Sequence, residues 1–147
     1  METLKTASLK IYTDGASRGN PGPGAIAFII TDTAGKLLKE RAQFIGTCTN
    51  NIAEYKALIA ALQEAERLAG KGCDCEIICF SDSQLMVNQM RGEYKVKKGH
   101  LKELFEQAKS LEKKFKKVEY VSVRRTDPAI QMADRMVNGV LDSAARL

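Results

Sequence analysis

The sequence predicts an α/β fold: a five-stranded mixed sheet, three antiparallel strands followed by two parallel ones, flanked by helices on both faces. Three observations predict it. Strand-like runs at residues 7–13, 25–31 and 36–46 follow one another through short links, the pattern of an antiparallel meander. Two more short runs, 75–80 and 118–123, come after helix-length segments, and parallel pairing needs crossovers of that length. The intervening segments carry apolar stripes at helical spacing, and each stripe needs a sheet face to cover it.

The elements follow in order. Residues 7–13 alternate well enough for a first strand, and Ala25–Thr31 is nearly all apolar. Between the second run and the third, Lys36–Gly46, lies Asp32-Thr33-Ala34-Gly35, in which glycine can supply a positive φ for a hairpin. Thr49-Asn50-Asn51 offers capping side chains to a helix over about Ile52–Ala69, rich in Ala, Leu and Glu and ended by Gly70-Lys71-Gly72. Cys75–Phe80 reads as a strand buried on both faces. Ser81-Asp82-Ser83 closes that strand and opens a brief helix, Ser83–Met90. A basic linker and a second long amphipathic helix, about Leu101–Phe115, come next. Val118–Val123 is the last strand, and the polar loop Arg124–Pro128 leads into a final helix through about Ala144. With no internal repeat or linker, residues 1–147 are expected to form one domain.

Hydrophobic residues at 44% and charged residues at 28% fit a water-soluble globular chain. No apolar stretch approaches the roughly 18 residues of a membrane span, and the N-terminus opens no signal-peptide run. A cytoplasmic protein without a membrane partner is the expectation, and a monomer is the default. Cys73-Asp74-Cys75 looks like half a metal clip but has no second pair, which argues against structural zinc; Cys79 sits in an apolar run as a core residue. The net charge of +5 favours polyanionic partners. Lysines cluster at 95, 97, 98 and 102 and again at 113, 114, 116 and 117, which suits either a solvated helix face or an anion-binding surface.

Four carboxylates stand where apolar residues belong. Asp14 and Asp82 each end an apolar strand-like run. At 100° per residue, Glu54 aligns with Ala57, Leu58, Ala61, Ala65 and Leu68, and Asp134 with Ile130, Val137, Leu141 and Ala145. Singly, the two strand-end acids suit turns or caps, and the two helical acids suit helix N-terminal dipoles. Together they form a set without matching cations, which a hard divalent ion would neutralise.

Tyr12-Thr13-Asp14-Gly15-Ala16-Ser17-Arg18-Gly19-Asn20-Pro21-Gly22-Pro23-Gly24 resembles the opening motif of the type 1 ribonuclease H family. Thr49-Asn50-Asn51-Ile52-Ala53-Glu54-Tyr55 resembles its second motif, Ser81-Asp82-Ser83-Gln84-Leu85 its third, and Ala133-Asp134 falls at its fourth acid. The resemblance implies a ribonuclease H-like fold and an endonuclease that hydrolyses the RNA strand of an RNA–DNA hybrid, leaving 3′-hydroxyl and 5′-phosphate ends. It implies Asp14, Glu54, Asp82 and Asp134 as ligands of two Mg²⁺ ions, with Mn²⁺ as a substitute. Such ions, about 3.5–4 Å apart, activate the attacking water and stabilise the departing oxygen. Asp14 would bridge both ions, and Asp134 would be the more loosely held ligand. Gly15, Ser17, Ser83 and Gln84 would meet the RNA strand, and Asn20, Thr49, Asn50 and Asn51 the DNA strand. Thr49 and Asn51 also suit helix caps, and Asn20-Pro21 a turn.

Two departures from the family pattern bear on mechanism. Some members place a histidine in the loop before the fourth acid, where this chain has Arg124-Arg125-Thr126-Asp127-Pro128. The sole histidine, His100, opens a basic helix instead and reads as a surface or capping residue. The segment Tyr94–His100 is too short for the basic handle helix of some relatives. A binding-only domain of the same fold would have no need for four acids. A strand-transfer or 3′-exonuclease domain would have no need for the Thr49-Asn50-Asn51 and Asn20–Gly24 motifs.

Overall fold

The computed structural model describes residues 8–70 and 74–146. Residue 7 of the first predicted strand, Lys71-Gly72 of the helix stop and Cys73 lie outside the described residues. Strands β1 (Ser8–Ser17), β2 (Gly22–Asp32), β3 (Leu37–Cys48), β4 (Glu76–Ser81) and β5 (Lys117–Ser122) form one sheet in the order β3-β2-β1-β4-β5. β2 pairs antiparallel with both β1 and β3, and β4 runs parallel to both β1 and β5. The helices are α1 (Asn50–Ala69), α2 (Gln84–Met90), α3 (His100–Glu112) and α4 (Pro128–Ala145).

Local chemistry sets the boundaries. Asp32 Oδ1 accepts hydrogen bonds from the Ala34 and Lys36 amides, each at 2.9 Å, and Gly35 takes φ +91° to close the β2–β3 turn. Thr49 Oγ1 caps α1 by accepting from the Ile52 amide at 3.3 Å, and Ser83 Oγ caps α2 from the Met86 amide at 3.2 Å. Asp127 Oδ1 caps α4 through the Ala129 and Ile130 amides, with Pro128 in the first turn. α3 ends at Glu112, and turn bonds to Ser110, Leu111 and Glu112 carry the chain through Phe115. Residues 91–99, between α2 and α3, contain no helix.

The period of two along β2 divides the core. Phe28 and Ile30 join Leu9, Ile11, Tyr55, Leu58 and Leu62 beneath α1, whereas Ala25, Ala27 and Ile29 pack with Ala133, Val137 and Leu141 of α4. The main cluster, fully excluded from water at Ile11, Phe28, Ile30, Leu58 and Leu62, fixes α1 on one face. α4 covers the other face. The two helices that carry Glu54 and Asp134 are thereby set on opposite sides of β1.

Candidate metal centre

The strand that bears Asp14 runs further than its sequence suggests. β1 continues to Ser17 because β2 remains beside it, pairing Asp14 with Ala27 and Ser17 with Gly24. Its parallel pairing with β4 stops at Tyr12–Phe80. Asp14 therefore lies inside a strand, at the point where the parallel half of the sheet ends. Ligand sites of α/β sheets form at such carboxyl ends, where the neighbouring strand leaves space. Asp82 follows the last residue of β4 and faces the same space.

Glu54 arrives from the first turns of α1. The helix lies so close to β1 that a Cβ on Gly15 would be 2.4 Å from the Ala53 carbonyl oxygen. Carboxylate oxygens of Asp14, Glu54 and Asp82 all fall within 4.8 Å of one another. Asp14 is 5% exposed, its Oδ2 is buried without a hydrogen-bond partner, and the same holds for Glu54 Oε1. Burial first, then the charges of Asp82 and Asp134, push the Asp14 carboxyl up to about 7, against the pull of Arg125 and the Gly15 amide. Burial, followed by Asp14 and Asp82, holds Glu54 well above the usual carboxylate range. Mutually repelling carboxylates, two of which carry a buried and unpartnered oxygen, fit a hard divalent cation.

Asp134 corrects one expectation. It is exposed and lies outside the three-acid group, although its charge reaches Asp14. The buried stripe of α4 runs through Ile130, Ala133, Val137 and Leu141, so its centre passes between Ala133 and Val137 and leaves Asp134 on the margin. Arg125, from the loop ahead of α4, reaches the acids as well, a contact that no motif in the sequence points to. Its Nε donates to Asp82 Oδ2 at 3.0 Å. His100 is the exposed first residue of α3, 3.8 Å from Glu103.

The polar residues around the acids divide into two groups. Asn50 Oδ1 accepts from the Ser17 amide at 2.9 Å, and Asn20 Oδ1 accepts from the Asn50 amide at 3.0 Å. Ser17, Asn20 and Asn50 thus form a connected rim, with Asn51 exposed beside it. Thr49 and Ser83 act as helix caps, Gly15 is buried under α1, and Gln84 is exposed next to Ser83. Arg18 fastens the β1–β2 turn to α4 through Asp142 at 2.7 Å and Asn138 Oδ1 at 3.2 Å.

Known proteins resemble this chain in sequence and in fold. A family model described as reverse transcriptase-like matches residues 12–140. The bifunctional protein Rv2228c of Mycobacterium tuberculosis is 40% identical over 137 residues, which are 92% of this chain and 36% of that protein. The chain thus spans about a third of that relative's length. Ribonuclease HI of Halobacterium salinarum is 38% identical over 133 residues, 90% of this chain and 64% of the other. The solved structure of LC11-RNase H1 in complex with an RNA/DNA hybrid superposes with a TM-score of 0.87 at 41% identity, covering 93% of this chain and 99% of that one. The family match, with similarity of sequence and fold over nearly the whole length, shows that the chain belongs to the type 1 ribonuclease H family.

Proposed function

We propose that the protein is a metal-dependent endonuclease that hydrolyses the RNA strand of RNA–DNA hybrids, leaving 3′-hydroxyl and 5′-phosphate ends. The observation that carries this reading is the group of three carboxylates within 4.8 Å, two of them with buried, unpartnered oxygens. LC11-RNase H1, similar along its whole length, has been crystallised on such a hybrid. Asp14, Glu54 and Asp82 would hold divalent metal, and Asp134 would join from α4 as an exposed and more mobile ligand. Two Mg²⁺ ions, or Mn²⁺ in their place, would supply an activated water and neutralise charge at the departing 3′ oxygen.

The chain's own residues do the positioning. Gly15 brings α1 against β1 and so sets Glu54 beside Asp14. The rim of Ser17, Asn20 and Asn50, with Thr49, Asn51, Ser83 and Gln84, would meet sugar and phosphate groups rather than base edges. Such contacts give cleavage with little base preference. A 2′-hydroxyl distinguishes the RNA strand from DNA at this rim. Lys95, Lys97 and Lys98 are exposed and have no ion pair among the described residues, whereas Lys102, Lys114 and Lys117 are matched by Glu106, Glu66 and Glu119. Hybrid binding through the unpaired lysines weakens steeply with salt. No helix among the described residues is long and apolar enough to cross a membrane, and we assign the activity to the cytoplasm and to a monomer.

The test is to incubate labelled RNA–DNA hybrid, duplex RNA and duplex DNA with the protein in Mg²⁺, Mn²⁺ or chelator. Metal-dependent cleavage confined to the RNA strand of the hybrid is expected. Binding without cleavage would instead identify a non-catalytic domain of the same fold, and degradation from DNA 3′ ends an exonuclease.

A further inference from the structure

We propose that Arg125 acts as a resident cation for the acid cluster, pairing with Asp82 in the metal-free protein, and that a divalent ion must displace it to bind. The inference rests on the metal-site reading above. Arg125 Nε lies 3.0 Å from Asp82 Oδ2, and among the described residues it is the only cation within ion-pair distance of Asp14, Glu54 or Asp82. Its charge also acts on Asp14 and Glu54, in opposition to their mutual repulsion.

The two partners are held very differently. Asp82 has a side chain 11% exposed, fixed by the end of β4, while that of Arg125 is 89% exposed and makes this single contact. The loop beneath Arg125 is anchored at both ends. The Val123 amide donates to the Ser81 carbonyl at 2.9 Å, the Asp127 amide to the Arg124 carbonyl at 3.0 Å, and Asp127 itself caps α4. Withdrawal of the guanidinium therefore needs side-chain rotation alone. Arg125 offers one charge to one carboxylate, whereas a divalent ion brings two charges to three carboxylates, so the ion wins. The ion binds more weakly, however, than it would at a cluster with no resident cation. Exposed ion pairs change an equilibrium by up to about fivefold, and the burial of Asp82 raises this toward tenfold.

Calorimetric titration with MnCl₂ alone, without nucleic acid, tests the proposal on the wild-type chain and Arg125→Ala. The variant is expected to bind Mn²⁺ about threefold to tenfold more tightly, with circular dichroism showing an unchanged fold. If the wild type binds Mn²⁺ and Arg125→Ala binds it equally or more weakly, the displacement is refuted while the metal site stands. If the folded wild type binds no Mn²⁺, the metal-site reading itself fails.

Discussion

A Cβ on Gly15 would stand 2.4 Å from the carbonyl oxygen of Ala53 and 2.8 Å from the amide nitrogen of Glu54. Both obstacles are backbone atoms, so no rotamer change relieves the clash. Gly15→Ala must lift the first turns of α1 off β1 and carry Glu54 away from Asp14. Overpacking of this kind costs about 1–3 kcal/mol. Urea unfolding should show that loss, and Mn²⁺ affinity measured by calorimetry should fall at least tenfold. Wild-type affinity in the variant would contradict the view that this glycine sets the acid spacing.

Asp14 makes the metal-free protein sensitive to pH. Its folded carboxyl titrates near 7, above its unfolded value of 3.8, so between those limits the folded state binds more protons than the unfolded state. Stability from this group is fully present below pH 3.8 and is lost as pH rises toward 7, by up to roughly 4 kcal/mol. In chelator at pH 8, Asp14→Asn should therefore be more stable than the wild type, and the gap should close toward pH 4. Paired urea titrations across that range check the sign. The same variant should bind the hybrid and fail to cut it, as a gel assay would show.

The skeleton and the meeting of Asp14, Glu54 and Asp82 were legible in the sequence for a physical reason. Burial periodicity and capping chemistry are local, so Thr49, Ser83 and the Asp32–Gly35 turn could be read directly and their elements followed. The end of β1 was not local, since the pairing of Asp14 with Ala27 depends on how far β2 extends. The marginal position of Asp134 depended on which flank of α4 meets the sheet: Ala133 rather than Ala145 completes the stripe of Ile130, Val137 and Leu141, a small rotation that a helical wheel does not resolve. The Arg125–Asp82 contact joins residues 43 apart in sequence, and no pattern along the chain announces it.

Glu64 shows the same limit and gives a further prediction. Its polar sequence neighbours suggest a surface position, yet it is buried, accepting from Arg41 Nη2 at 2.7 Å and from Arg67 Nε at 2.8 Å. Arg41 also lies 5.1 Å above the Phe28 ring, so the acid ties the edge strand β3 to α1. The Arg67 hydrogen bond, with the charges of both arginines, holds the carboxyl below its usual range against the cost of burial. A lowered acid contributes stability above its unfolded pKa and loses it as pH falls. Glu64→Gln should cost about 1–3 kcal/mol at pH 7, with the difference shrinking below pH 4.5 in thermal melts.

His100 is exposed at the start of α3, and its nearest charged partner is Glu103 rather than any acid of the cluster. His100→Ala should leave the maximal cleavage rate within about twofold, since a surface contact of this kind is worth well under 1 kcal/mol. A loss above tenfold in steady-state kinetics would show a histidine step that the geometry does not contain.

Arg18 connects the rim to α4. Its guanidinium pairs with Asp142 at 2.7 Å and donates to Asn138 Oδ1 at 3.2 Å, while the Asn138 side-chain amide donates to the Asp134 carbonyl at 3.0 Å. The turn that carries Ser17 and Asn20 is in this way fastened to the helix that carries Asp134. Both side chains of the ion pair are open to solvent, so Arg18→Ala should cost no more than about 1 kcal/mol of stability. Release of the turn should be felt in substrate binding instead, because Asn20 and Ser17 both depend on it to meet Asn50. The expected result is a KM for the hybrid raised severalfold with kcat nearly unchanged. A fall in kcat at constant KM would mean that Arg18 acts through Asp134 at the metal rather than through the rim.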